Sequence, residues 1–176
     1  MAAASPPFFI NTLQQGNIMT IKTLHDLFVH DLSDIYSAEK QITKALPKMI
    51  RAATDENLVA AFELHLEETR GQIDRIDQLV ELTEGVRIKR MKCHALEGLA
   101  EEAQEIIDEV EAGPVRDAGL IGAAQKVEHY EIATYGTLRA LALKLDYQDA
   151  AKLLGETLEE EKATDEKLTL IAEEQD

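Results

Sequence analysis

The sequence is poor in the residues that would commit it to several common designs. It has one cysteine, Cys93, so no disulfide can form within the chain and a cysteine-based zinc site is excluded. That single thiol suits a reducing compartment, and the expected location is cytoplasmic. Tryptophan is absent and aromatic residues make up only 5% of the chain, too few for an aromatic-rich β-core. Basic residues are outnumbered, 18 Lys and Arg against 34 Asp and Glu, for a formal net charge of −16. A surface that acidic repels phosphate backbones and anionic headgroups, so neither nucleic acid nor a membrane is an expected partner. Nor is there an apolar run of the roughly 18 residues a spanning helix needs. Residues 1–19 lack the basic start and apolar stretch of a secretory signal. Interrupted by Pro6, Pro7 and Gly16, they are expected to be a flexible extension, with Met19 an alternative start, ahead of one domain over 20–176.

What is abundant is Ala, Leu, Glu, Lys and Gln, the good helix formers. Five segments show helical periodicity. The first spans about 23–53, with Thr23 as N-cap and Pro47 expected to kink it. The second spans about 55–83 and stops near Gly85. The third and shortest spans about 91–111, ended by Gly113-Pro114. The fourth and fifth cover about 115–145 and 148–173. Tight turns near Thr54 and Asp146 make two antiparallel hairpins, with the short helix lying in a long crossover between them. The expected fold is all-α, a ferritin-like four-helix bundle with an additional short helix in the crossover.

Five carboxylates fall on the apolar stripes of these helices: Glu39, Glu68, Glu128, Glu131 and Glu160. Ionised carboxylates gathered in a core cost several kcal/mol each unless protonated, paired with a base or bound to metal. No Lys or Arg shares the stripes at the same depth, although long side chains can reach in from the edges. Glu128 and Glu131, three residues apart on one helix, can face one ion pair. Hard oxygen donors favour iron, manganese, magnesium or calcium over zinc or copper. The usual bundle site adds a Glu-x-x-His motif on each of two helices. Here Gly71 and Ala163 stand where those histidines belong, so the site is richer in oxygen. His65 and Gln72 are further inward-facing donors on the second helix. Tyr135 and Tyr36 are core filler or hydrogen-bond donors to a carboxylate. Of the run 159–161, only one glutamate should point inward.

The stretches "DLSDIYSAEKQITKALPKM" (31–49), "HLEETRGQIDRID" (65–77), "IKRMKCHALEGLAEEA" (88–103), "AAQKVEHYEIATYGTL" (123–138) and "AAKLLGETLEEEKATDEKL" (150–168) closely resemble the YciE/YciF family of bacterial ferritin-like proteins. The resemblance implies a rubrerythrin-like bundle, a homodimer, a metal centre between the helices and a link to bacterial stress responses. It implies Glu39 as the ligand of the first helix and Glu128 with Glu131 as the paired glutamates. Glu68 and Glu160 match the glutamates of the two Glu-x-x-His motifs. The implied cofactor is two metal ions per chain, iron or manganese, able to oxidise ferrous iron or reduce peroxide. With one cysteine there is no rubredoxin module, so electrons would come from an outside donor. A non-catalytic dimeric scaffold with a vestigial site is the other reading.

Overall fold

The computed structural model describes residues 20–174, and the extension expected over 1–19 lies outside them. Five helices are present: α1 (Leu24–Ala52), α2 (Glu56–Leu82), α3 (His94–Glu109), α4 (Pro114–Lys144) and α5 (Gln148–Glu174). Each start has a local cause. The Thr23 hydroxyl accepts the Asp26 N–H at 3.0 Å while the Asp26 carboxylate accepts the Thr23 N–H at 3.0 Å, a reciprocal capping box. The Asp55 carboxylate caps α2 by accepting the Leu58 N–H at 2.8 Å. Cys93 caps α3 with its sulfur, 3.4 Å from the Leu96 nitrogen. Gly113, at φ 139°, takes a conformation other residues avoid, and Pro114 opens α4 where its missing N–H is not needed.

Pro47 does not break α1. The helix runs through it, and the buried neighbours Leu46 and Met49 anchor both sides to the core. Tertiary packing outweighs the one hydrogen bond a proline removes.

Helix α1 packs on α2, α2 on α5, α5 on α4, and α4 on α1, closing a four-helix ring. The turn after α1 lies beside the start of α4, where Asp117 accepts the Thr54 and Asp55 N–H groups at 2.8 and 2.9 Å. At the other end, the Tyr147 hydroxyl meets His25 Nδ1 at 2.8 Å, bringing the start of α5 to the start of α1. So α1 and α5 run one way and α2 and α4 the other. The 83–113 crossover must therefore travel the length of the bundle. It first runs extended along α1, with the Lys89 and Cys93 N–H groups donating to Ser33 and Ser37. Then α3 covers the groove between α1 and α4, burying Leu96 and Ala103. Gly119 makes room for this: a Cβ there would sit 2.9 Å from Ile106. Among the described residues, no helix is long and apolar enough to cross a membrane.

Candidate metal centre

Halfway along the bundle, all four long helices turn polar groups inward. Helix α1 supplies Glu39; α2 supplies His65, Thr69 and Gln72; α4 supplies Glu128, Glu131 and Tyr135; α5 supplies Thr157 and Glu161. Every one of these is buried. Spacings of three, four and seven residues keep each set on one face of its helix. Apolar layers close both ends, Leu58 and Phe62 on one side and Ile76 and Leu79 on the other.

One ligand atom each from His65, Glu128, Glu131 and Glu161 lies within 4.8 Å of the others. His65 Nε2 is 3.1 Å from Glu128 Oε1 and 3.9 Å from Glu131 Oε2, yet neither ring nitrogen makes a hydrogen bond. Tyr135 donates its hydroxyl to Glu39. Gln72 donates its amide to Glu161 at 2.5 Å and to Glu160 at 3.1 Å. These bonds leave many polar atoms unsatisfied. Glu39 Oε2, Glu128 Oε2, both oxygens of Glu131, Glu161 Oε2 and Gln72 Oε1 have no partner. An unmet buried oxygen costs about 1–3 kcal/mol, more if charged, so this many on one spot calls for shared protons or a cation.

The electrostatics agree. Burial, then neighbouring carboxylates, push Glu39, Glu128 and Glu131 well above the ordinary glutamate range. Burial likewise lifts Glu161 to about 7. Burial holds the His65 imidazole neutral, with its pKa lowered to about 4, so its nitrogen lone pair is available as a ligand.

Of the residues singled out from sequence, Glu39, Glu128 and Glu131 are brought together in this cluster. Glu68 is half-buried at the α2–α5 edge, accepting from the Thr164 hydroxyl at 3.4 Å, with its Oε2 4.0 Å from His65 Nδ1. Glu160 also stands at that edge. Arg75 clamps both its oxygens at 2.8 and 2.9 Å. Burial would raise the Glu160 carboxyl, but the Arg75 and Gln72 bonds outweigh it and hold it below its usual value. The residue of the 159–161 run that points into the core is Glu161, not the expected Glu160. The buried face of α5 includes Ala150, Leu154, Thr157, Leu158, Glu161 and Leu168, and Glu160 lies about 100° round the helix from Glu161. That series was the signal available for Glu161. His129 lies on the outside, 3.1 Å from Asp165, and Tyr36 is half-buried against the edge of the core, under Lys40. Cys93 is buried, near the Tyr130 hydroxyl at 3.1 Å.

Three carboxylates and one neutral imidazole, those of Glu128, Glu131, Glu161 and His65, form a buried group that could hold a metal ion. The unpartnered oxygens are the atoms that such an ion would take.

The profile of a family described as a domain of unknown function (DUF892) matches residues 23–175. Protein YciF of Escherichia coli (strain K12) is 64% identical over 154 residues, covering 88% of this chain and 93% of that protein. The crystal structure of the E. coli stress protein YciF matches with a TM-score of 0.85, covering 86% of this chain and 96% of the other. YcfI of Rhodopseudomonas palustris, for which a structural role has been suggested, is 47% identical with a TM-score of 0.82 over the same shares.

Proposed function

The chain belongs to the DUF892 family, and from that premise we propose that it is a ferritin-like di-metal carboxylate protein acting in the bacterial stress response. The observation that carries this reading is the set of buried, unpartnered oxygens on Glu39, Glu128, Glu131 and Glu161 around the neutral His65. These five residues would hold two iron or manganese ions. Glu68 and Glu160 form an outer pair at the α2–α5 edge. A pair of such ions, when bound, supplies one-electron redox chemistry toward dioxygen or peroxide.

The chain's own groups have distinct parts. Gln72 fixes the rotamer of Glu161 through its amide N–H. Tyr135 keeps its proton, since burial and then Glu39 push its pKa well up, and it holds that proton on Glu39. The apolar layers exclude bulk water, which strengthens every charge interaction inside.

Anaerobic titration of metal-free protein with ferrous iron tests this, with about two ions bound per chain expected from the four-helix donor set. Glu131→Gln with Glu161→Gln abolishes binding. Glu68→Ala with Glu160→Ala leaves most of it. Absence of binding by the unaltered chain sinks the reading, and equal loss in both double variants sinks the inner-and-outer division.

A second reading, a helical scaffold, is supported by the Arg75–Glu160 clamp, which uses one acidic group to join α2 to α5. The structural role suggested for YcfI points the same way. Protein purified without metal, and with a melting temperature indifferent to added iron and manganese, would favour it.

A further inference from the structure

We infer that an apolar passage beneath α3 leads a small uncharged molecule of the dioxygen class from solvent to the His65–Glu128 side of the cluster. This rests on the proposed metal centre for its purpose but not for its existence. Between α1 and α3 lies an open surface groove of about 310 Å³. Behind it is a narrow internal cavity of about 20 Å³ for the centre of a guest. One water-sized molecule needs roughly 10–15 Å³ by that measure, so the cavity takes one small guest. The two spaces share Ala45, Met49, Ala100 and Ala103 as common wall. Three of these are alanines, and the fourth is a flexible thioether that can swing.

The inner cavity is lined almost wholly by apolar groups, among them Ile42, Leu96 and Ala124. Its polar members are His65 and Glu128, and both are more than nine-tenths buried. Both His65 ring nitrogens and Glu128 Oε2 lack hydrogen-bond partners. So the passage ends on unsatisfied ligand atoms.

Its chemistry selects the guest. A charged species or a strongly hydrated one loses several kcal/mol on entering walls with no partners for it. A small apolar molecule loses nothing comparable. The α2–α5 edge is of the opposite kind, with the charged groups of Glu68, Arg75 and Glu160 along it. The apolar passage exists because α3 lies over the α1–α4 groove with alanines rather than leucines on part of its inner face.

Dioxygen itself is the probe, applied under pressure to metal-free protein. Its paramagnetism speeds methyl relaxation in NMR wherever it dwells. Methyls of Met49, Leu96 and Ala124 should relax severalfold faster than those of Leu79 and Leu154, which are as deeply buried but away from the passage. Ala124→Leu fills the inner cavity and should erase that excess. If that variant does not fold, Ala100→Leu, at the half-buried rim, should reduce it instead. Equal enhancement at both sets of methyls, or an excess that survives both substitutions, overturns the proposal. Because no metal is present, failure of iron binding would end the metal-centre reading without altering this result.

Discussion

Glu131 has both carboxylate oxygens buried and unpartnered, and it lies against Glu39, Glu128 and Glu161. Without metal it is a cost to the fold. Glu131→Gln keeps the shape, removes one acid and offers an N–H to Glu39. Metal-free Glu131→Gln should therefore melt higher than the unaltered chain at pH 8, by roughly 1–3 kcal/mol of stability. The same variant should lose metal binding. A lower melting temperature at pH 8 would show that Glu131 is there for packing. Such opposed effects mark a residue kept for binding rather than for the fold. Position in the sequence exposed most of this group. Glu39, Glu128 and Glu131 stand out because a carboxylate interrupts an otherwise apolar stripe. Glu160 and Glu161 could not be separated that way. They are neighbours in an all-glutamate run, both stripes of α5 contain leucines, and about 100° of rotation decides between them. What settles the choice is Arg75 on α2, which meets Glu160 across the helix pair, a contact with no trace in local periodicity.

Among the helices, one side chain ties three elements together. Asp117 is buried in the first turn of α4. It accepts N–H groups from Thr54 and Asp55 and the Thr54 hydroxyl at 2.5 Å, so it holds the α1–α2 turn. It also sits at the positive end of α4. Asp117→Ala would remove the acceptor of two part-buried backbone N–H groups and of the Thr54 hydroxyl. The expected loss is about 2–4 kcal/mol, or roughly 5–10 °C in melting temperature for a chain of this size. Ferrous-iron stoichiometry should survive, because the cluster lies farther down the bundle. A loss under 1 kcal/mol would mean that water replaces the carboxylate there. The start of α4 at this knot was readable from Gly113 and Pro114, and the start of α1 at the far end from Thr23, because their preferences are local. The Asp117 contacts were not, since they join positions more than 60 residues apart. Pro47 is the converse case: its ring costs α1 a backbone hydrogen bond, but burial of Leu46 and Met49 keeps the helix continuous through it.

For the whole molecule, two tight turns and one long crossover fix the directions of the four main helices, and the cluster at their centre makes stability depend on pH in an unusual sense. Glu39, Glu128, Glu131 and Glu161 all have raised values in the fold, so the folded state binds protons more tightly than the unfolded chain. Their contribution is full below the ordinary glutamate value and is lost as pH rises, through about 7 for Glu161. His65, lowered to about 4, acts in the other direction, losing stability as pH falls from its ordinary 6.5. Four carboxylates outnumber one imidazole, so metal-free protein should melt at lower temperature at pH 8 than at pH 6. Surface repulsion from the net charge of −16 could imitate such a trend. It is nevertheless separable, because exposed carboxylates titrate near pH 4 and salt screens them. The decline from the buried cluster should persist at high salt. Bound metal reverses the sign. It replaces the protons, needs the carboxylates ionised, and so binds more tightly as pH rises. Calorimetry with and without manganese should show two melting curves that diverge between pH 6 and 8. A constant gap across that range would mean that the metal binds at the exposed edge, where Glu68 and Glu160 are, and not among the buried four.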